Sequence, residues 1–231
     1  MGRLLALVAH DLRNPLSALH SNVGYLAGLP QCEDTETREA LEDASLSCEC
    51  LVVIIDNLDV LARHLEGKSV APTMRFSVLA AAQEAISRCE RIAHSHGCQL
   101  KLTNHSSDGI VQVRANRDFF VRSLVNLMLN SVQHASGTVI DLSFETAQLG
   151  SGRTECRLVV TDKGPLIAPD DRDRAFMASG QLIAKTNGNG RYSRGLGLFV
   201  ASLSSEAAGA TLSVDSAQAT NQFRLIVPIE A

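Results

Sequence analysis

Residues 41–65 place an apolar or small side chain at alternating steps of three and four: Leu41, Ala44, Cys48, Leu51, Ile55, Leu58, Ala62 and Leu65. An unbroken heptad seam restricts this segment to a helix that must find other helices, because so narrow a stripe leaves water in no other way. The preceding segment does nearly the same through Leu5, Val8, Leu12, Leu16, Leu19, Val23 and Leu26, with one extra step of four beside Pro15. A proline there removes one backbone donor and predicts a local bend. Gly28-Leu29-Pro30 ends the first helix, and the polar run from Gln31 to Thr37 leads into the second. Two such helices cannot bury both faces alone, so the pattern predicts a hairpin that dimerises into a four-helix bundle. A monomeric hairpin packed on the rest of the chain is the alternative.

The heptad stops at Glu66-Gly67-Lys68-Ser69-Val70-Ala71-Pro72-Thr73, where Gly, Ser and Pro break the period. This predicts a hairpin at 1–66, a linker at 67–75 and a second domain at 76–231. In the second domain we expect a helix from Ser77 to about His96, a strand at 99–102 and a short strand near 110–114. A strong helix should follow from Asp118 to His134, then strands near 138–145 and 157–161. The stretch from Asp162 to Arg194 reads as irregular, before a helix at 196–208 and strands at 211–214 and 222–228. Strands and helices mix without βαβ alternation, so the fold class is α+β, with helices layered on one sheet.

Composition excludes several functions. Lys and Arg number 21 against 25 Asp and Glu, a net charge of −4, which disfavours a protein built to coat nucleic acid or an anionic membrane. No stretch approaches the ~20 apolar residues of a bilayer span. The six cysteines form no CxxC pair or regular framework, as in a reduced, cytoplasmic chain. Aromatics are only 4% with no Trp, so the core must be aliphatic.

Four strings carry chemistry. In Val8-Ala9-His10-Asp11-Leu12-Arg13-Asn14-Pro15-Leu16, helical phase sets His10 on the wet face, away from Leu5, Val8 and Leu12. Asp11 can hold one ring proton and leave the other nitrogen free to attack, and Asn14 lies one turn on. A plain surface histidine is the other reading. In Asn126-Leu127-Met128-Leu129-Asn130-Ser131-Val132-Gln133-His134, two amides sit at i, i+4, and amide oxygens are hard ligands suited to Mg²⁺; buried amides capping nearby backbone are the alternative. Asp162-Lys163-Gly164-Pro165-Leu166 puts a carboxylate at a strand end beside a glycine, where a nucleobase amino group could approach. Ser193-Arg194-Gly195-Leu196-Gly197-Leu198 opens a helix with glycines, a setting that favours phosphate. Cys89, His94, His96 and Cys98 also cluster, but their spacing scatters them around a helix end and fits no common zinc pattern. Cys48 and Cys50 read as core and surface.

The first string resembles the H-box of the bacterial sensor histidine kinases, position for position. The resemblance implies that His10 accepts a phosphoryl group, that Asp11 is its general base and that Asn14 supports dephosphorylation of the partner. The second resembles the N-box, implying Mg²⁺ on Asn130 and a phosphate region lined by Asn126 and His134, with Gln133 in place of the usual lysine. The third is similar to the G1 box, with Asp162 as the adenine contact, Gly164 beside it, and Leu166 replacing the second glycine and narrowing the pocket. Phe176 stands where the family has its F-box phenylalanine. The last is similar to the G2 box through Gly195 and Gly197, with Ser193 for the first glycine and Arg194 placed to compensate for the missing lysine. Gly180, Asn187, Gly188, Asn189 and Gly190 give the segment between them the composition of a lid.

The boxes run in family order. They imply a dimerising phosphotransfer hairpin joined to an ATP-binding sandwich of the histidine kinase, gyrase and chaperone ATPase type. The expected activity is ATP- and Mg²⁺-dependent phosphorylation of His10, then transfer to an aspartate of a response-regulator receiver domain, with the chain as the cytosolic catalytic end of a longer sensor. The alternative is a nucleotide-binding-impaired pseudokinase acting as a dimeric scaffold or phosphotransfer protein.

Overall fold

The computed structural model describes residues 2–29, 35–67, 73–106, 111–149, 153–177, 196–217 and 219–229. The chain divides into two compact units, Met1–Lys68 and Ser69–Ala231.

The first unit is a helical hairpin of α1 (Gly2–Ala27) and α2 (Thr35–Leu65). Its seam resolves into two ladders, each with a period of seven. On α1, Ala9, Leu16 and Val23 are buried, while Leu12, Leu19 and Leu26 are exposed by 47%, 51% and 43%. On α2, Cys48, Ile55 and Ala62 are buried, while Leu51 and Leu65 are exposed. Ala9, Leu16, Cys48 and Ile55 form the hairpin core, with Leu58 packed against them. Taking Ala9 in place of Val8 removes the irregular step beside Pro15: 5, 9, 12, 16, 19, 23, 26 is a regular heptad. The sequence pattern missed Ala9 because alanine carries too little apolar surface to stand out. The helix continues through Pro15 as a single element. Arg13 Nη2 reaches Asp56 Oδ1 at 3.0 Å and links the two helices at their half-exposed margin.

The second unit opens with a strand the sequence pattern did not reveal. β1 (Met74–Ser77) pairs antiparallel with β3 (Gln112–Ala115), Phe76 opposite Val113. Only Phe76 of β1 is buried, its ring edge-on to Phe120 at 5.2 Å between centroids. Four residues with one buried side chain give no local period, and the pairing partner lies far along the chain. Strand residues 74 and 75 therefore belong to this unit and not to the linker. Ser77 caps α3 (Val78–Ser95), its hydroxyl accepting from the Ala80 N–H at 3.3 Å. Asn116 caps α4 (Arg117–His134) in the same way, accepting from Phe119 N–H at 3.2 Å. Each cap satisfies a backbone donor the first turn leaves open.

The main sheet has the order β2-β4-β5-β7-β6, formed by β2 (Gln99–Asn104), β4 (Val139–Gln148), β5 (Thr154–Asp162), β7 (Thr220–Ile229) and β6 (Thr211–Ala217). β2 and β4 run parallel and every other pair antiparallel. Alternation buries Ile140, Leu142 and Phe144, then Cys156, Leu158 and Val160, then Phe223, Leu225 and Val227. Over the sheet, α4 packs between α3 and α6 (Gly197–Ala207), which explains why most of α4 is buried. Ser123 Oγ donates to the Ala201 carbonyl across the α4–α6 contact at 3.1 Å.

A short 3₁₀ turn (Pro169–Asp171) and α5 (Arg172–Ala175) interrupt the stretch expected to be irregular. Arg172 ties α5 to the sheet edge, pairing with Asp215 at 3.0 Å and donating to the Ser216 carbonyl at 3.1 Å. The expected lid residues Gly180, Asn187, Gly188, Asn189 and Gly190 lie outside the described residues. Among the described residues, no helix is long and apolar enough to cross a membrane.

Candidate functional site

On α1, burial of Ala9 in the hairpin core turns the next residue outward. His10 is exposed, and Asn14, one turn on, is exposed on the same side. The side chain of Asp11 lies outside the described residues. The local design is direct: one ladder of the seam anchors the helix, and the imidazole stands beside that anchor in solvent.

In the second unit, two neighbouring clusters form along α4. The first gathers at the end of the sheet. Asp162 is the last residue of β5 and continues the buried phase of Cys156, Leu158 and Val160, so its carboxylate is only 2% exposed. A buried carboxylate needs donors, and three reach it. Oδ1 accepts from Gly164 N–H at 2.8 Å and from Asn221 Nδ2 at 3.0 Å, and Oδ2 accepts from Ser131 Oγ at 2.7 Å. Gly164 is required by close approach. A Cβ there would stand 3.0 Å from the His134 carbonyl oxygen and 3.1 Å from Asp162 Oδ1. His134 thus contributes its backbone to the loop, while its side chain is exposed at the end of α4.

The second cluster joins α4 to the start of α6. Asn126 is buried, its Nδ2 donating to the Arg122 carbonyl at 2.9 Å, and its Oδ1 would lie 3.7 Å from a Cβ on Gly197. Asn130 lies between the clusters and is half-buried. The two amides of the i, i+4 pair therefore differ: one is turned into a helix–helix contact, the other is partly open. Arg194 and Gly195 lie outside the described residues, as does Ser193.

One expectation changes. Leu166 does not fold inward to narrow the site; its side chain is 53% exposed. The loop is held from the other side, by Asn221, which donates to the Pro165 carbonyl at 3.1 Å and accepts from Ile167 N–H at 3.1 Å. Phe176 is half-buried just after α5. The Cys89–Cys98 cluster disperses into packing. Cys89 Sγ faces the Val125 carbonyl, and Cys98 Sγ faces the Val132 and Ala135 carbonyls, so both bolt α3 and its exit onto α4. Burial pushes the Cys89 thiol up to about 12. Burial, then the nearby Glu145 carboxylate, push Cys156 up to about 12 as well. Among the described residues no three His, Cys, Asp or Glu side chains converge on a metal-sized site.

Ser131 and Asn221 were not singled out in the sequence, although a signal existed. Asn221 directly opposes Asp162 across the β5–β7 ladder and sits at the buried phase of Phe223, Leu225 and Val227. Ser131 lies on the same α4 face as Leu124, Leu127 and Met128, all buried. A polar residue at an apolar phase is the mark both leave.

The chain thus joins a heptad hairpin carrying an exposed histidine to a sandwich whose sheet ends in a buried carboxylate held by three donors. Residues 115–231 match the histidine kinase-, DNA gyrase B-, and HSP90-like ATPase family, and the chain belongs to it. Residues 1–67 match the His Kinase A (phospho-acceptor) domain.

Among curated proteins, the chain is similar to the sensor histidine kinase ZraS of Salmonella typhimurium, 27% identical over 234 residues. The match covers all of this chain and 46% of that relative, so the chain spans about half the length of the protein it matches. The fold is shared with full-length ShkA, solved in complex with AMPPNP (TM-score 0.65, 22% identity, 100% of this chain and 47% of that one). It is shared also with the Acinetobacter baumannii histidine kinase AdeS (TM-score 0.57, 18% identity, 96% of this chain and 98% of that one).

Proposed function

We propose that this chain is the core of a two-component protein-histidine kinase, in which the hairpin presents His10 and the second unit, from β1 onward, binds ATP. The observation that carries the reading is the exposure of His10 beside buried Ala9, which delivers a nucleophile to solvent on a rigid helix. One ring nitrogen attacks the γ-phosphorus of ATP. The N–P bond forms as the bond to the bridging oxygen breaks and ADP leaves, and the proton on the other ring nitrogen passes to Asp11. Catalysis of this kind rests on positioning and charge neutralisation. The phosphoryl group then moves from His10 to an aspartate of a response-regulator receiver domain, and Asn14, one turn from His10, orients a water that hydrolyses that aspartyl phosphate to carboxylate and free phosphate.

In the nucleotide unit, Asp162 accepts from the exocyclic amine of adenine, with Gly164 allowing the base close to the backbone. The resemblance to the family's boxes assigns His134, Arg194, Gly195 and Gly197 to the phosphates, with Arg194 as the source of positive charge. The donor chemistry of Asn130 fits Mg²⁺, since its amide oxygen is a hard ligand on a half-buried side chain. Asn126 fits less directly, because it is buried and its Oδ1 packs against Gly197 at the start of α6. When bound, Mg²⁺ would neutralise charge on the phosphate oxygens.

The exposed ladder of Leu12, Leu19, Leu26, Leu51 and Leu65 supports a homodimer through the hairpin. A cytoplasmic location follows from the ATP and receiver-domain chemistry. The test is incubation with γ-labelled ATP and Mg²⁺. The reading expects acid-labile, base-stable label on the wild type and none on His10→Gln. Label that persists on His10→Gln, or a wild type that binds ATP yet takes no label, would overturn it.

A further inference from the structure

The three donors on Asp162 leave it in an unusual state for a residue that must meet a ligand. A carboxylate oxygen accepts about two hydrogen bonds. Oδ1 has both, from Gly164 N–H and Asn221 Nδ2; Oδ2 has one, from Ser131. Among the described residues, one acceptor position on Oδ2 remains. Asn221 is itself locked: its two N–H groups go to Asp162 and Pro165, and its oxygen accepts from Ile167 N–H and from Ser216 Oγ at 2.8 Å. All four positions of that amide are used, so its orientation is determined by its partners and it cannot turn without breaking bonds.

Ser131 differs from the other donors. It is 0% exposed, so it does not touch a nucleotide itself, and its hydroxyl goes to the one oxygen that still has room. We propose that Ser131, working against Asn221, is a positioning residue that orients the Asp162 carboxylate and restricts it to a single acceptor for the 6-amino group of the purine. It thereby sets how strongly the site prefers an amino-purine over a purine lacking that group. The inference rests on the nucleotide-site reading above and deepens it. A carboxylate held by donors on both oxygens keeps its remaining lone pair aimed. Removing the Ser131 donor frees Oδ2 to turn and leaves a second, competing acceptor lobe. The loss falls on ligands that donate to Asp162 and spares ligands that do not.

The test compares ATP with purine riboside triphosphate, which lacks the 6-amino group, by equilibrium titration of the wild-type chain and of Ser131→Ala. Thermal melting checks that the variant is folded. The wild type is expected to prefer ATP. Ser131→Ala should bind ATP about 10-fold more weakly, the scale of one charge-assisted hydrogen bond, with affinity for the deaminated analogue unchanged. A parallel loss for both nucleotides would assign Ser131 to packing alone and overturn the proposal, as would a variant that keeps the full wild-type preference. A wild type that binds neither nucleotide would instead overturn the nucleotide-site reading, and this inference with it.

Discussion

The two units break the rule of apolar inside and polar outside in opposite directions. The hairpin leaves half of its heptad ladder in water: Leu12, Leu19, Leu26, Leu51 and Leu65 are exposed while Ala9, Leu16, Cys48 and Ile55 fill its core. The sandwich buries polar groups at the end of an otherwise apolar sheet face, where Asp162, Asn221 and Ser131 are all at most 3% exposed. In each case the exception marks the work. Exposed apolar side chains call for another protein surface, and buried polar ones are oriented for a ligand or reaction. Under the proposed function, the contrast also accounts for an acceptor and a nucleotide site in separate folds. A nucleophile needs reach and exposure, whereas base recognition needs a fixed carboxylate away from water.

Breaking the hairpin side should have the largest effect. Leu19→Glu places a charge in the middle of the outer ladder, and the dimer should dissociate by at least about two orders of magnitude, since an unpaired buried charge costs several kcal/mol. Sedimentation would show monomers, and autophosphorylation would fall with them. Nucleotide affinity of the sandwich should stay at the wild-type level, which separates the two units cleanly. A Leu19→Glu chain that remains dimeric would remove the outer ladder from the interface.

Ala9→Leu probes the inner ladder. The site is 1% exposed in the hairpin core, so a larger side chain must displace its neighbours and should destabilise the hairpin by about 1–3 kcal/mol. A helix-specific melt at lower temperature, with the sandwich transition unmoved, is the expected readout.

The smallest effect lies in the sandwich and depends on pH. Cys89 and Cys156 have thiols raised by burial from 9.0 to about 12 in the folded unit. A raised acid pKa means the stability is fully present below the unfolded value and is lost as pH rises from 9 toward 12, where unfolded thiols ionise and native ones do not. Chemical denaturation across that window should show declining stability, with a shallower slope in Cys156→Ala. An unchanged slope would remove Cys156 from the account.

Much of this architecture was legible in the sequence because it rests on local periods. The helices from 78 and 117 and the strands of the main sheet follow phases of 3.6 and 2 that neighbouring residues establish together. What was hidden depends on partners far along the chain. β1 exists through pairing with β3, and Asn221 matters through its place opposite Asp162. Ala9 was hidden for another reason: its importance is its smallness, which hydrophobic patterns underweight. His10 was legible because a polar residue on the wet side of a heptad needs only the helix phase to be placed. Leu166 misleads in the sequence because a leucine at a glycine position reads as obstruction, whereas its side chain is exposed.

The central claim is that the hairpin accepts what the sandwich delivers. The most direct measurement runs wild type, His10→Gln and Asp162→Asn side by side, following labelled phosphoryl incorporation at neutral pH together with ATP affinity and oligomeric state. The account predicts label mapped to His10 in the wild type only. His10→Gln should still bind ATP with wild-type affinity, and Asp162→Asn should still dimerise while losing most nucleotide binding. Label on His10→Gln, or full labelling of Asp162→Asn, would contradict it.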